Sequence, residues 1–401
     1  RHANYRWFWI SGFGHTAAQG LKQITLALLV LQLTGSVGQL GIVVFMQGAP
    51  MAGIALFGGV VADRYDRKTI LQVSQIASMI NILIVAILSF MGDLMLWHIY
   101  VSAIILGIGQ ALTMPARQAL IRSLVPSEDV LNAVALNSMQ QHTSRILWPT
   151  IGAGFVAFMG ASYALLLIVA AYVVGVYGLI MVRNLPPIDR VGTDRSPIRD
   201  LTDGLRYTFT TPLTQTIMVL AVSIGMFGLA YMNMAPGFGR DAMEFSETEI
   251  GLFVSISGIG SLVGSLFLLA VDVKNKLALY VAQCLVFASS LILLSLNPFY
   301  FLSFFLMFIW GITTSSLSIV AQTMIQVYVP QHLLGRVISL WSFAGGLGSV
   351  MALPMGIVGE LFGMRVSLGS VAVILLVLSV WFGVLPLARG KVKFEAPSSL
   401  D

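Results

Sequence analysis

Twelve long apolar runs, separated by short polar breaks, are the feature that most constrains the fold of this chain. Most of these runs reach about 20 residues, the length at which an α-helix crosses the hydrocarbon core of a bilayer. Charged residues make up only 10% of the 401 residues, against about 25% in soluble globular domains. The sequence therefore predicts an all-α membrane protein with twelve transmembrane helices. The predicted helices span residues 7–33, 38–62, 69–91, 95–121, 131–158, 161–183, 212–237, 247–271, 276–296, 299–327, 336–359 and 365–388.

The longest polar segment lies in the middle of the chain and divides the apolar runs into two sets of six. Within it, Leu201, Leu205 and Phe209 recur at the spacing of one helix face. This spacing predicts a short amphipathic helix on the membrane surface, with a solvated tether as the alternative. The predicted parts are a six-helix bundle at 1–183, a cytoplasmic linker at 184–211, a second six-helix bundle at 212–388 and a cytoplasmic tail at 389–401.

An internal repeat relates the two sets of runs. The segment Gln118–Pro126, at the end of the fourth run, recurs as Gln322–Pro330 at the end of the tenth. Pro149 and Pro354 likewise fall at corresponding places in the fifth and eleventh runs. Repeats of this kind in transporters indicate two pseudo-repeat bundles around a central cavity.

The distribution of positive charge predicts the orientation in the membrane. Most of the 22 Lys and Arg residues, Arg117 and Arg122 among them, are assigned to loops on the side that carries both termini. By the positive-inside rule both termini are cytoplasmic, and the chain is a multi-pass protein of the inner or plasma membrane. The basic residues are scattered over short loops rather than gathered on one face, which argues against nucleic acid as a partner.

The sequence carries no motif for a metal, a cofactor or an intramembrane enzyme. Its single cysteine, Cys284, has no partner for a disulfide, and no Cys and His residues have metal-ligand spacing. It contains neither the GxxxxGK[ST] phosphate loop nor HExxH. We therefore expect no cofactor, no metal, no enzymatic activity and no direct use of ATP.

A short charged turn between the second and third runs carries a known pattern. It matches the motif G-x-x-x-D-R-x-G-R-K, with Asp66 in place of the second glycine, at Gly59, Asp63, Arg64, Arg67 and Lys68. By this motif the chain resembles the major facilitator superfamily, although an ordinary positively charged loop is the alternative. The resemblance implies a gate in which Asp63 lies beside the start of helix 11, near Gly335 and Arg336. There the partial positive charge of a helix N-terminus would stabilise closure of the cytoplasmic side.

Four further stretches resemble one branch of this superfamily, which contains the enterobactin exporter and the macrolide-efflux proteins. They lie at 33–36, 114–119, 203–207 and 329–337. The resemblance implies a secondary active transporter that works by alternating access and exports a bulky amphipathic or anionic small molecule, such as a siderophore, a drug or a lipid-like compound. It further implies proton coupling and a monomer embedded in the lipid bilayer. The export-associated pattern G-P-x-x-G-G is altered here, since Trp148 and Ala153 replace two of its glycines.

Two polar stripes inside the predicted first bundle are basic rather than acidic. His15, Gln19 and Lys22 share one face of helix 1. A similar stripe on helix 5 carries Asn137, Gln141 and Arg145. Lys22 and Arg145 both come within about 10 Å of the bilayer midplane by helical rise. A buried cation without a carboxylate is costly, which favours an anionic substrate; the alternative is that Lys22 snorkels and Arg145 bonds helix carbonyls.

No acidic residue falls at the centre of a predicted helix, so a coupling proton needs another carrier. His15, His142 and a deprotonated Lys22 are the candidates, and histidine's ordinary pKa near 6.5 favours the histidines. A proton-linked importer of an anionic solute is one alternative function. A non-transporting membrane receptor with the same fold is another.

Aromatic side chains recur in the predicted second bundle. They are Phe227, Tyr231, Trp310 and Trp341. One interpretation is an aromatic wall that binds an apolar or ring-bearing ligand. The other is that aromatic residues at helical spacing form part of the hydrophobic core.

Overall fold

The computed structural model describes residues 3–64, 66–126, 129–183, 206–210, 212–270 and 275–389. For residues 52, 55–64 and 269–270, and for scattered positions within 114–150 and 331–345, it describes the backbone alone. Within the described ranges the helices are joined by turns and short extended segments, and no strand occurs there, as the sequence predicts.

The described ranges contain twelve long helices. They are α1 (Ala3–Thr34), α2 (Val37–Arg64), α3 (Arg67–Met91), α4 (Leu96–Leu124), α5 (Val130–Met159), α6 (Ala161–Met181), α7 (Pro212–Asp241), α8 (Glu247–Ala270), α9 (Lys276–Leu296), α10 (Tyr300–Tyr328), α11 (Gln331–Phe362) and α12 (Met364–Ala388). Two of them contain a π-helical turn, at Ile224–Gly228 in α7 and at Val380–Val384 in α12. In the described part of the chain, eight helices are long and apolar enough to cross a membrane by length and composition. The prediction of an all-α membrane fold is thus confirmed, whereas twelve membrane crossings remain a prediction.

Helix α3 is amphipathic in the reverse sense of a helix in a water-soluble protein. Its buried face carries Ser74, Gln75, Ser78 and Asn81. Its exposed face carries large apolar side chains, at Val73, Ile76, Ile80, Ile84 and Ile87. A water-soluble bundle buries the apolar stripe and exposes the polar one. The outer face of α3 therefore fits a hydrocarbon environment.

The chain divides into two compact units. The first holds α1 to α6 together with Ala235–Ser255, which is the end of α7 and the start of α8. The second holds the remainder of α7 and α8 with α9 to α12.

Glycines let helices approach closely within each unit. In the first unit, a Cβ at Gly14 of α1 would lie 2.5 Å from the backbone nitrogen of Gly175 in α6. In the second unit, a Cβ at Gly260 or Gly264 of α8 would overlap backbone atoms of α10. Gly260 and Gly264 therefore allow α8 and α10 to pack closely.

An Asx residue caps the third helix of each predicted bundle. Asp66 is the N-cap of α3, where its carboxylate accepts hydrogen bonds from the backbone N–H and the hydroxyl of Thr69, at 2.9 and 2.7 Å. Asn275 is the N-cap of α9 and accepts from the backbone N–H of Ala278 at 3.0 Å. A capping side chain satisfies N–H groups that lack partners within the helix. The replacement of the second motif glycine by Asp66 therefore has a structural reason.

Side-chain bonds to the end of α6 fasten one end of the first unit. The ammonium group of Lys68 donates to the carbonyl oxygen of Val182 at 2.6 Å. Asn4 donates to the carbonyl oxygen of Arg183 at 2.6 Å and accepts from its backbone N–H at 3.1 Å. These bonds tie the starts of α1 and α3 to the C-terminal end of α6.

Part of the predicted linker lies outside the described residues. Leu201 and Leu205 belong to that part, so the amphipathic helix stays a prediction there. Phe209 lies in a helical stretch at 206–210 and is exposed.

The assignment of Arg117 and Arg122 to a loop is wrong. Both lie within α4, which continues to Leu124, and the side chain of Arg117 is buried. The positive charge of Arg117 therefore does not report the orientation of a loop. The side chain of Arg122 lies outside the description.

Candidate functional site

Helix α1 carries two buried basic side chains. Lys22 is 2% exposed and His15 is 9% exposed. The ammonium nitrogen of Lys22 and Nδ1 of His15 are themselves buried, and neither has a hydrogen-bond partner among the described residues. Lys22 therefore does not snorkel to the surface. This part of α1 presents unsatisfied polar atoms instead of an apolar packing surface.

Arg117 of α4 is a third buried basic side chain, which the sequence interpretation missed. It is 5% exposed, and its guanidinium carbon lies 4.5 Å from the centre of the Phe8 ring in α1. Its Nη1 and Nη2 atoms have no hydrogen-bond partner in the described part of the chain. A cation over an aromatic face gains cation–π attraction, but the edge of this guanidinium remains unsatisfied.

The three basic side chains form a cluster along α1. His15 lies between the other two, because Lys22 is seven residues further along the helix and Nη2 of Arg117 meets α1 at Gly12. Among the described residues, neither a carboxylate nor any other group accepts a hydrogen bond from Nζ of Lys22 or from Nη1 and Nη2 of Arg117. Buried like charges without a counter-ion oppose one another and lose hydration. The cluster is therefore suited to bind a negatively charged group.

Hydrogen bonds between α1 and α5 border the cluster. The amide nitrogen of Gln140 donates to the carbonyl oxygen of Trp9 at 2.9 Å. Ser144 donates to the hydroxyl of Thr16 at 2.8 Å, and the indole N–H of Trp148 donates to Ser144 at 3.3 Å. These bonds fix the α1–α5 contact and hold the surroundings of the basic side chains in place.

The other predicted residues of the basic site are described unevenly. Gln19 of α1 and Asn137 of α5 are half-buried. The side chains of Gln141, His142 and Arg145 lie outside the description, although their backbone belongs to α5. Their roles in binding and proton transfer therefore stay predictions.

The predicted gate is described only in part. Only the backbone is described at Gly59, Asp63, Arg64, Gly335 and Arg336. Arg67 and Lys68 are half-buried at the start of α3, where Lys68 bonds to the end of α6. The gating role of the motif stays a prediction.

Two of the four predicted aromatic residues lie together in the second unit. Tyr231 and Trp310 are buried, and their rings meet edge to face at 5.9 Å. Phe287 packs against Trp310 at 5.8 Å. Phe227 is half-buried in the π-helical turn of α7, and the side chain of Trp341 is not described. Close ring contacts of this kind are those of a packed core, while the unpartnered indole nitrogen of Trp310 leaves one donor for a ligand.

A family model described as "transmembrane secretion effector" matches residues 1–399, which is nearly the whole chain. The chain belongs to the transmembrane secretion effector family. It is accordingly a major facilitator superfamily transporter, as the charged turn predicted.

Relatives within this family carry the name of an exporter. The chain is 24% identical to the enterobactin exporter EntS of Escherichia coli O1:K1 / APEC over 364 residues, covering 87% of this chain and 86% of EntS. It is also 24% identical to EntS of Shigella boydii serotype 18 over 369 residues, with the same coverage. The predicted resemblance to the enterobactin-exporter branch is confirmed.

Solved structures of transporters share the fold over almost the whole chain. A bacterial homologue of the human lysosomal transporter Spinster is 13% identical, with 99% of this chain and 100% of that chain covered and a TM-score of 0.74. The nucleoside transporter NupG is 15% identical, with 98% and 100% covered and a TM-score of 0.75. A POT family transporter in complex with 5-aminolevulinic acid is 14% identical, with 98% and 97% covered and a TM-score of 0.76. At these identities the likeness shows the fold alone.

The relatives and the family match together show what kind of protein this chain is. They are membrane transporters and not enzymes, so the prediction of a transporter without enzymatic activity is confirmed. A multi-pass location in the inner membrane fits the exporter relatives and the apolar helices.

Proposed function

We propose that the chain is a proton-coupled secondary active exporter of a bulky amphipathic or anionic small molecule, such as a siderophore, a drug or a lipid-like compound. It works by alternating access as a monomer in the bilayer, with both termini in the cytoplasm. The observation that carries the direction of transport is the 87% coverage of this chain by relatives named enterobactin exporter. The family description, which refers to secretion, supports the same direction.

The sign of the cargo rests on the basic cluster of α1. Lys22 is almost fully buried, and its ammonium nitrogen has no partner among the described residues. An anionic group placed beside it offsets the desolvation of the ammonium, whereas a cationic drug adds repulsion in a low-dielectric surrounding. The site therefore prefers anions to cations.

Alternating access in this proposal uses the charged turn after α2. The proposed role of Asp63 is to stabilise the state that is closed to the cytoplasm, through the partial positive charge that the N-terminal end of α11, near Gly335 and Arg336, offers a carboxylate. A carboxylate at a helix N-terminus contributes about 0.3–1 kcal/mol, enough to bias two conformations of similar free energy.

Proton-linked uptake of an anionic solute is the second candidate function. The favouring observation is that the acidic residues within the described helices lie near helix ends, so the coupling proton falls to His15, His142 or Lys22. Protonation of such a group raises the positive charge of the site and strengthens anion binding. Loss of the proton in the cytoplasm then weakens it, which releases the anion there.

Reconstituted proteoliposomes test the function. Vesicles are loaded with anionic carboxyfluorescein or cationic ethidium, a pH gradient is imposed, and proton movement is followed with pyranine in a parallel set. We expect the chain to accelerate movement of the anionic probe and, in the parallel set, movement of protons. We expect Lys22→Gln to slow movement of the anionic probe. Arg389→Gln removes an exposed positive charge after α12 and serves as the matched control.

Two results would contradict the proposal. If neither probe moves and no proton flux is seen, the result favours a receptor with the same fold. A preference for ethidium refutes the anionic cargo. The direction is tested separately in cells that express the chain, since export lowers and import raises the accumulation of a transported probe.

A further inference from the structure

Three buried basic side chains of the first unit, among the residues described, are arranged along one side of α1. His15 and Lys22 are seven residues apart, which separates them by about 10 Å along the helix axis. The guanidinium of Arg117 reaches α1 at Gly12, about 4.5 Å further along the axis beyond His15. Gly12, His15 and Lys22 fall within one quadrant of the helix, because their spacing of three and ten residues returns to nearly the same face.

The packing of Arg117 covers its face and leaves its edge without partners. The Phe8 ring lies against the guanidinium at 4.5 Å. Nη1 and Nη2 remain buried and lack a hydrogen-bond partner among the residues described. The planar edge of a guanidinium donates two parallel hydrogen bonds and matches the two oxygens of an acidic group. Arg117 thus presents the part of the side chain that recognises acids.

Gly12 is the residue that makes room for this arrangement. A Cβ at position 12 would overlap Nη2 of Arg117 and would lie 2.5 Å from Oε1 of Gln140. That amide oxygen also lacks a partner, while the amide nitrogen is engaged by Trp9. A neutral amide supplies one acceptor at most and cannot neutralise the guanidinium. Among the described residues nothing neutralises the charge of Arg117, which a ligand could balance.

We propose that Arg117 binds the acidic group of the cargo inside the first unit, at the end of the row of basic side chains that runs along α1 through His15 to Lys22. This inference deepens the proposed function and rests on it for the statement that the bound acid is cargo. The ligand class is a carboxylate, catecholate or phosphate group on a larger molecule. Such a group is available from a free organic acid or from an anionic lipid headgroup.

Three probes of nearly the same shape test the sign of the site. Benzoate is an anion, benzamide is neutral and benzamidine is a cation at neutral pH. Binding of radiolabelled benzoate is measured at equilibrium on the full chain in phosphatidylcholine nanodiscs, with the other two as competitors. We expect benzoate to bind and neither benzamide nor benzamidine to displace it at equal concentration.

Variants then locate the site. Arg117→Gln is expected to weaken benzoate binding about 10- to 100-fold, the effect of losing a charge-assisted hydrogen bond. Arg117→Lys keeps the charge without the planar fork and is expected to fall between wild type and Arg117→Gln. Gly12→Ala keeps every charge but displaces the guanidinium, so it is expected to weaken binding as well. Gly154→Ala is the matched control, because nothing lies within 4 Å of a Cβ at that position.

A second arm identifies the source of the acid. Benzoate binding is repeated in nanodiscs that also contain phosphatidylglycerol. If phosphatidylglycerol weakens benzoate binding to the wild-type chain but not to Arg117→Lys, the site binds a lipid headgroup. If phosphatidylglycerol leaves benzoate binding to the wild-type chain unchanged, the site binds a free acid. Both results require that the wild-type chain binds benzoate at the anion site.

Several outcomes overturn the inference. They are binding of benzamidine as tight as that of benzoate, no binding of any probe to the wild-type chain, unchanged benzoate binding in folded Arg117→Gln, and equal effects of Gly12→Ala and Gly154→Ala. Thermal unfolding establishes that each variant is folded before binding is measured. If the proteoliposomes described above show transport but these variants leave benzoate binding unchanged, the proposed function stands and only this site is refuted. Absence of transport with intact anion binding does the reverse.

Discussion

The contact between α1 and α6 gives the sharpest prediction about stability. A methyl group at Gly14 would lie 2.5 Å from the backbone nitrogen of Gly175 and 2.6 Å from the backbone oxygen of Ala171. Both are main-chain atoms, so no side chain can turn aside. Non-bonded heavy atoms are at their optimum at about 3.5–4.0 Å, so Gly14→Ala must separate the two helices by about 1 Å. We expect a loss of about 1–3 kcal/mol in the free energy of unfolding, the usual cost of overpacking.

Gly154→Ala is the control for this change. Position 154 lies in α5, and a Cβ there meets nothing within 4 Å. Alanine is about 1 kcal/mol better than glycine inside a helix, so this variant should be neutral or slightly stabilised. The assay is equilibrium unfolding of both purified variants in mixed micelles, followed by tryptophan fluorescence. If Gly14→Ala unfolds at the same denaturant fraction as Gly154→Ala, the helices do not approach as closely as described and the argument is refuted.

Two further predictions concern hydrogen bonds at helix ends, and the same unfolding assay measures both. Asp66→Ala should lose about 1 kcal/mol because it removes the cap of α3, whereas Asp66→Asn keeps an acceptor and should lose less; equal losses would show that the cap does not stabilise α3. Arg365→Leu should lose about 1–3 kcal/mol because the guanidinium donates to the carbonyl oxygen of Asn297 at 2.6 Å, close to the end of α9. An unchanged stability of Arg365→Leu would mean that water replaces this bond.

The helix boundaries could be predicted from the sequence because the bilayer imposes a length on each apolar run. The predicted run at 276–296 coincides with α9, and the one at 161–183 ends two residues beyond α6. The run at 336–359 is shorter than α11, which begins at Gln331, because that helix starts in a polar stretch with no hydropathy signal. Apolar length locates the membrane crossing, while backbone hydrogen bonding extends the helix beyond it.

Arg117 shows the limit of this approach. Arg117 lies near the end of the predicted run at 95–121, so the positive-inside rule assigns its charge to the membrane surface. The helix continues to Leu124 and turns Arg117 inward against Phe8. Whether a basic residue near the end of a run faces water or the bundle depends on which face of the helix meets its neighbours. That face is set by contacts with α1, which a single sequence does not reveal.

His15 and Lys22 could be predicted as buried because they lie inside a long apolar run, where a helix has no water on any side. For Tyr231 and Trp310 the sequence left two interpretations, a core cluster and a ligand wall. In the structure their rings pack edge to face, as in a core, while the indole nitrogen of Trp310 has no partner among the described residues. The chemistry of charged groups is thus better constrained by sequence than that of apolar rings, because only the former are costly to bury without a partner.

The anionic cargo and the exporter relatives agree once the membrane potential is considered. In an inside-negative cell, moving one negative charge outward is favourable by about 2.3 kcal/mol per 100 mV, which corresponds to a concentration ratio of about 50-fold. The positive charges of Lys22 and Arg117 belong to the protein, so an anion bound beside either of them carries its own charge across. Export of a monoanion therefore needs no membrane-centre carboxylate to exploit an energised membrane, whereas uptake of the same anion must work against the potential and needs at least one proton to balance the charge. In the proteoliposomes, a potassium diffusion potential set with valinomycin separates the two cases, since a potential alone drives export of carboxyfluorescein and opposes its uptake.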